Sequence, residues 1–227
     1  MYKGLFSEDH HIASVDLNGA RKTIFYPNGI YDSNILCKEC DNKILGSLES
    51  YSKIILWGGN GKPKSYHSVD IEADQSNNKL LHISNIDYNK FKRFLLSILW
   101  RASISKQDIF KRVSLGIHED RIRDMILENN PGHEDDYAVG LILLTPNKTC
   151  PTKIICDPQL LKTEKSLSYL FLINGFIINY KIEGSKFDDI YSQIAIKEDN
   201  TMDVIVLNEE ETIFYMDKYM KGEIRYK

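Results

Sequence analysis

The longest regular hydrophobic pattern of the chain lies near its middle. Its apolar residues, spaced by three and four positions, are Phe91, Phe94, Leu95, Ile98 and Leu99, with Leu96 and Trp100 widening the same face. This spacing predicts a core helix, because residues three and four apart lie on one side of an α-helix. The polar residues on its other side are Lys90, Arg93, Ser97 and Arg101. We expect this polar stripe to face solvent, with contact to phosphates as the alternative.

Three further segments have helical signals, at residues 48–56, 117–128 and 209–220. Asn129-Asn130-Pro131-Gly132 ends the second, and Glu209-Glu210-Glu211 opens the third, where acidic side chains suit the positive end of a helix. Extended apolar patterns predict strands at residues 137–144, 153–156, 169–173, 176–182 and 204–207. Asn174-Gly175 predicts a tight hairpin turn between two of these strands.

The first 50 residues have a different pattern. Short extended pieces alternate there with turn signals at Asn18-Gly19 and Asn28-Gly29. Such signals are typical of compact, hairpin-rich structure.

Composition excludes several classes of protein. The 227 residues are 42% hydrophobic and 27% charged, too apolar for a disordered chain. Twenty-nine Lys and Arg against 32 Asp and Glu give a formal charge of −3, so nucleic acid would have to bind a local patch. The chain contains no apolar run of about 18 residues, and its first residues have no secretion-signal pattern. We therefore expect no membrane partner and a cytoplasmic location.

The chemically informative segment spans residues 7–51. Asp9-His10-His11-Ile12 stands some two dozen residues before Asn34, which opens the segment NILCKECDNK. This arrangement resembles the HNH endonuclease superfamily, in which a D-H or H-H pair followed by an apolar residue and a proline precedes a Gly-containing hairpin and a segment with N, CxxC and K at these spacings. Ala13 and Ser14 stand here in place of the proline. One branch of the superfamily also opens with S-E-[DE]-H and continues with L-G-x-x-[ED], as in LGSLE at residues 45–49. The resemblance covers residues 7 to 55.

The resemblance implies a treble-clef, or ββα-metal, module that hydrolyses phosphodiester bonds. His11 would be the general base that takes a proton from water, and Asn34 would orient that base. The alternative register gives the catalytic role to His10. Asp9 or His10 would bind the metal together with Asp41, and an aspartate oxygen suits Mg²⁺ or Mn²⁺.

Cys37 and Cys40 imply a second metal. In a chain without a secretion signal, a CxxC pair is typical of half a zinc site. Two thiolates leave the tetrahedron of Zn²⁺ incomplete, so other residues must contribute if zinc binds. Cys150 and Cys156 are candidates, although the apolar strand around Cys156 favours a buried free thiol.

Other polar clusters carry weaker signals. Residues 58–64, GGNGKPK, lack the GxxxxGK[ST] spacing of a phosphate loop. His67, Asp70 and Glu72 alternate as on an exposed strand, which is the interpretation we favour over a metal group. His118-Glu119 and the segment at residues 133–136, HEDD, lack the second histidine of a zinc-protease helix.

Together these features predict an α+β protein. It would consist of an N-terminal hairpin-plus-helix HNH-like module (residues 1–57), linker strands with central helices (58–135), and a C-terminal antiparallel sheet with a terminal helix (136–227). The favoured function is a metal-dependent DNA endonuclease of a bacterial mobile-element or phage-defence setting. The alternative is a non-catalytic protein that binds a partner protein or a small ligand and keeps a relic HNH or zinc-knuckle fold.

Overall fold

The computed structural model describes residues 12–17, 22–27, 29–57, 68–73, 78–147, 153–162, 164, 166–183 and 193–224. Its strands are β1 (Ile12–Val15), β2 (Thr23–Tyr26), β3 (Ser68–Ala73), β4 (Lys79–Ser84), β5 (Val139–Leu144), β6 (Ile154–Cys156), β7 (Gln159–Lys162), β8 (Leu167–Ile173), β9 (Phe176–Glu183) and β10 (Met202–Leu207). Its α-helices are α1 (Gly46–Trp57), α2 (Tyr88–Ile104), α3 (Glu119–Leu127) and α4 (Glu209–Lys221). A π-helical segment, Glu39–Leu45, leads directly into α1.

All the strands belong to one ten-stranded sheet, in the order β2-β1-β6-β8-β9-β5-β10-β4-β3, with β7 paired to β8 off this path. Most neighbours are antiparallel, but β1 runs parallel to β6 and β10 runs parallel to β5. The mixed α+β class is therefore confirmed. The predicted sheet was too small, because four strands from the first 84 residues join it, β1 by pairing with β6 and β4 by pairing with β10. The proposed domain boundaries stay a prediction, and the sheet extends across both of them.

The hairpin predicted near the N-terminus is present. β1 pairs antiparallel with β2, with Ile12 opposite Tyr26, and the chain then continues into α1. Asn18-Gly19 and Asn28 lie outside the described residues. The order of hairpin and helix agrees with the expected module, and its HNH-like character stays a prediction.

The central strands of the sheet are buried on both faces. Phe171 and Ile173 of β8 lie in a first core together with apolar residues of α1, α2 and α3. Leu170 and Leu172 of the same strand lie in a second core with Tyr219 of α4. Because successive strand residues point to opposite faces, this division places helices on the two sides of the sheet.

The long central helix is confirmed, but part of its polar stripe is not solvated. Arg93 and Ser97 are buried. Arg93 donates through Nε and Nη2 to the carbonyl oxygen of Ile126, at 2.9 and 2.5 Å, near the end of α3. The last carbonyls of a helix have no partner within that helix, so a guanidinium from a neighbouring helix satisfies one of them. The expectation that the whole stripe faces solvent was wrong for this reason.

The turns and the terminal helix follow the predicted chemistry. Asn174 and Gly175 have φ values of 51° and 80°, the left-handed pair that a tight hairpin requires. Asn208 caps α4, because its side chain accepts a hydrogen bond from the amide of Glu211 at 2.8 Å. Gly222 ends the helix at φ 67°.

Candidate functional site

A cleft of about 430 Å³ opens where the segment before α1 meets the C-terminal half of α2. Its apolar lining residues are Ile30, Ile35, Leu36, Ile98, Ala102, Ile104, Phe110, Ile155 and Ile173. Its polar lining residues are Tyr31, Asp32, Asn34, Asp41, Glu49, Arg101 and Ser105. An apolar surface with a few polar groups and this volume is typical of ligand sites in proteins.

Two predicted site residues lie on the wall of this cleft. Asn34 sits in the loop between β2 and the π-helical segment, with φ 62°, a left-handed conformation that asparagine tolerates better than most residues. Asp41 lies inside the π-helical segment. Both residues are exposed, and within the described part of the chain neither side chain forms a hydrogen bond or an ion pair. Both side chains are therefore available to a ligand.

An ion pair joins the two helices that border the cleft. Arg101 of α2 donates through Nη1 to Oε1 of Glu49 of α1 at 2.8 Å. Both side chains are about three-tenths exposed. Arg101 also donates through Nε to the carbonyl oxygen of Ser97 at 3.2 Å, which fixes the direction of the guanidinium. The pair therefore holds α1 and α2 together while one edge of the guanidinium borders the cleft.

Asp32 ties the loop that carries Asn34 to the end of α2. Ser105 donates through Oγ to Asp32 Oδ2 at 2.5 Å, and the amide of Lys106 donates to Oδ1 at 3.3 Å. Gln107 donates through Nε2 to the carbonyl oxygen of Tyr31 at 2.9 Å. These contacts give the cleft a rim held by hydrogen bonds.

The charges along the cleft are predominantly negative. Its lining contains three carboxylates, on Asp32, Asp41 and Glu49, and one guanidinium, on Arg101. A polyanion such as DNA would meet a repulsive field there in the absence of a cation. The lining by itself favours positively charged ligands.

Cys37 and Cys40 lie beside the cleft, in the turn that leads to Asp41. The amide of Cys40 donates to Cys37 Sγ at 3.3 Å. This hydrogen bond, together with one from the Cys40 side chain, lowers the pKa of Cys37. The contact with Cys37 raises the pKa of Cys40 in turn.

The structure offers these thiols no third metal ligand among the residues it describes. Within that part of the chain, no group of three or more His, Cys, Asp or Glu side chains is placed to hold a metal ion. Cys156 is buried in the second core, where desolvation raises its pKa to about 12. Cys150 lies outside the described residues. Zinc binding at Cys37 and Cys40 thus stays a prediction without a completing ligand.

Asp9, His10 and His11 lie outside the described residues. The residue that follows them, Ile12, is fully buried in the first core, which also contains Ile30 of the cleft wall. Its strand β1 pairs with β6, and Ser14 lies opposite Ile155, which lines the cleft. The predicted histidine segment therefore leads into a strand next to the cleft.

The remaining polar candidates are structural or exposed. Asp70 and Glu72 are exposed on β3, as expected, and His67 lies outside the described residues. His118 bridges the Tyr137 hydroxyl, at 3.0 Å, and Glu183 Oε1, at 2.9 Å. Of these, the described residues Asp70, Glu72 and His118 do not line the cleft.

Sequence reasoning missed the three other charged residues of the cleft, Asp32, Glu49 and Arg101. Asp32 has no distinguishing local pattern. Arg101 was placed on a stripe expected to face solvent. The structure instead places it on the side of α2 that faces α1, where it pairs with Glu49. Glu49 is part of the LGSLE segment that supported the resemblance, but the sequence analysis gave this residue no role.

No family model, curated protein or solved structure matches the chain. Within the described ranges, no helix has both the length and the apolar character needed to cross a membrane.

Proposed function

We propose that the cleft is the active site of an HNH-like, metal-dependent endonuclease that hydrolyses DNA phosphodiester bonds. The observation that carries the proposal is that Asn34 and Asp41, the two described residues with predicted roles in catalysis or Mg²⁺ binding, line one cleft, and neither side chain has a partner among the described residues. Both belong to the NILCKECDNK segment, Asn34 in a loop and Asp41 in the helical turn that follows it.

In this proposal His11 is the general base. Its imidazole takes a proton from the water that attacks phosphorus, and the amide oxygen of Asn34 accepts a hydrogen bond from the second ring nitrogen. That hydrogen bond would keep the ring in one tautomer and one orientation. Arg101, the cation that lines the cleft among the described residues, would offset part of the charge of a bound phosphate.

The metal needs ligands beyond the described residues. Asp41 supplies one free carboxylate of the hard-oxygen type that Mg²⁺ and Mn²⁺ prefer, and the described residues contain no three-ligand group. Asp9 or His10 would have to complete the set. When bound, the cation would stabilise the negative charge that develops during cleavage. It would also offset the negative lining that otherwise repels DNA.

The experiment is cleavage of plasmid and single-stranded DNA by the purified full-length protein with Mg²⁺, Mn²⁺ or a chelator. Wild type should cut only with a divalent cation. The cleavage rate of the double variant His10→Ala/His11→Ala should be about 10²- to 10⁴-fold lower, because a general base usually contributes a factor of that size. His133→Ala is the matched control, because His133 is exposed and lies outside the cleft. Absence of cleavage with every cation would overturn the proposal.

A second candidate function is non-catalytic binding of a small, partly apolar cation. It is favoured by the ligand-sized volume and by the excess of carboxylates over guanidinium groups in the lining. A screen of organic amines by thermal shift distinguishes the two functions. Binding that weakens in Asp41→Asn but persists in His10→Ala/His11→Ala, with no DNA cleavage, supports the second candidate.

A further inference from the structure

Cys37 and Cys40 form a thiol pair whose geometry needs no metal to explain it. The two residues lie one turn apart, and the backbone amide of Cys40 points at Cys37 Sγ from 3.3 Å. The same turn is closed by a hydrogen bond from the amide of Asp41 to the carbonyl oxygen of Cys37, at 3.0 Å. The two sulfur-bearing side chains are therefore held on one short, hydrogen-bonded turn.

The two thiols differ in access. Cys37 is exposed, whereas Cys40 is partly covered. An oxidant arriving from solvent meets Cys37 first, and Cys40 lies behind it within the same turn. This is the arrangement in which one cysteine attacks an external partner and a second cysteine then resolves the product.

The zinc alternative lacks support in the described residues. Tetrahedral zinc needs four ligands, and no third His, Cys, Asp or Glu is placed with the pair within the described ranges. The third cysteine whose surroundings are described, Cys156, is buried among apolar side chains of the second core. Among the described residues, the exposed thiol of Cys37 and the partly covered thiol of Cys40 therefore stay free for thiol chemistry.

We propose that Cys37 and Cys40 are a redox-responsive dithiol that closes to an intramolecular disulfide when it meets a low-molecular-weight disulfide oxidant. Such transient disulfides are the kind that occurs in reducing compartments. The inference is independent of nuclease activity, since it concerns only the thiols and their turn.

The reaction is two successive thiol–disulfide exchanges. The Cys37 thiolate attacks one sulfur of the oxidant, so a mixed S–S bond forms, the S–S bond of the oxidant breaks, and one thiol leaves. The Cys40 thiolate then attacks Cys37 Sγ, which forms the intramolecular disulfide and releases the second thiol. Two electrons pass from the cysteines to the oxidant, and the two cysteine protons end on the released thiols.

Closing the bond would tether the turn that presents Asp41. Asp41 directly follows Cys40, and its amide is already bonded to the carbonyl of Cys37. The carboxylate of Asp41 lies on the cleft wall. The redox state of the pair would therefore be coupled to the rigidity of that wall, and hydrogen exchange of the Asp41 amide should slow in the disulfide form.

The test uses full-length protein carrying Cys150→Ser, so that the pair and the buried Cys156 are its cysteines. Bound zinc is measured first, and the protein is then equilibrated in glutathione redox buffers, alkylated and mapped by mass spectrometry. We expect Cys37 and Cys40 to lose their alkylation together, without a glutathione adduct. In Cys40→Ser, Cys37 should accumulate the glutathione adduct. In Cys37→Ser, Cys40 should react several-fold more slowly.

Three results would overturn the proposal. One is that both thiols remain fully alkylated in a buffer that oxidises free dithiothreitol. Another is that wild type, like Cys40→Ser, stops at the glutathione adduct. The third is a stoichiometric zinc ion that protects both thiols until a chelator removes it.

Discussion

Glu49 and Arg101 form an ion pair of 2.8 Å that joins α1 to α2 at the border of the cleft. Because Glu49 follows the segment that carries Cys37, Cys40 and Asp41, the pair fixes that segment against α2, the longest of the described helices. The cleft therefore depends on a polar contact between helices as well as on apolar packing. This contact can be removed without emptying the core.

The first prediction concerns the stability that this ion pair contributes. Arg101→Met should lower the free energy of unfolding by about 1 to 2 kcal/mol, because it removes a charge-assisted hydrogen bond to a partly buried carboxylate. The matched control is Lys43→Met, which removes the exposed pair of Lys43 with Glu39 and should cost less than about 0.5 kcal/mol. Urea denaturation measures both values. Equal effects of the two substitutions would contradict the role given to Arg101.

A second prediction concerns Arg93, which satisfies the end of α3. Arg93→Met should cost about 2 to 4 kcal/mol, since it leaves the Ile126 carbonyl without its donors in a buried position. Arg93→Lys should recover only part of the loss, because an ammonium cannot reproduce the forked geometry of a guanidinium. Chemical denaturation gives the values, with the exposed Arg121→Lys as control. Full recovery in Arg93→Lys would show that charge alone matters there.

The local patterns predicted helices well and long-range pairing poorly. The spacing of the apolar residues from Phe91 to Leu99 identified α2 and its buried face, because a repeat of three and four positions marks one side of a helix. The same spacing could not reveal that the carbonyl of Ile126 lies opposite Arg93, because a partner from another helix leaves no local pattern. The pairing of β1 with β6 likewise joins residues more than 130 positions apart, and short strands carry no signal for their partner.

The candidate site was predictable to the extent that a motif described it. Asn34 and Asp41 were identified from the NILCKECDNK segment, and both line the cleft. Ile155 and Ile173, which complete its apolar wall, come from strands far along the chain. Arg101 has no local signature that separates a cleft residue from a solvated one.

The third prediction concerns pH and His82, whose Nδ1 lies 2.7 Å from Asp203 Oδ1. The hydrogen bond with Asp203 raises the pKa of His82 above its ordinary 6.5, with a smaller effect of Glu72 in the same direction. A raised pKa in the folded state stabilises the protein below pH 6.5, and this contribution is lost as pH rises through the folded value. The difference in Tm between wild type and His82→Gln should therefore shrink from about pH 6 to about pH 9. Asp203→Asn should remove most of this pH dependence, and an unchanged difference would count against the pairing.

The fourth prediction concerns Lys92, which is fully buried and donates to the Tyr88 hydroxyl at 2.9 Å and to the carbonyl of His133 at 2.5 Å. Burial lowers the pKa of Lys92 from 10.5 to about 8. Nearby carboxylates act in the opposite direction, and they belong to Asp136, Glu198, Glu134 and Asp135. Between these two values the unfolded chain binds more protons than the folded chain, so stability contributed by this group rises with pH.

Lys92→Met isolates that effect. The difference in unfolding free energy between wild type and variant should grow in favour of wild type as pH rises from about 8 towards 10, because the buried ammonium becomes neutral in wild type. Urea titrations at several pH values measure it. Lys90→Met, which removes a partly exposed lysine of the same helix, is the control and should show no such rise. Parallel curves for wild type and Lys92→Met would contradict a lowered pKa at Lys92.

The measurement that tests the central claim most directly is the rate of metal-dependent DNA cleavage by Asp41→Asn, compared with Asp70→Asn. Asp41 lies in the cleft, whereas Asp70 is an exposed aspartate on the edge strand β3. If the cleft is the active site, Asp41→Asn should lower the rate at least about 10²-fold with an unchanged Tm, as for loss of a group acting in the transition state. Asp70→Asn should cleave at the wild-type rate. Wild-type cleavage by Asp41→Asn would show that the cleft is not where phosphodiester bonds are cut.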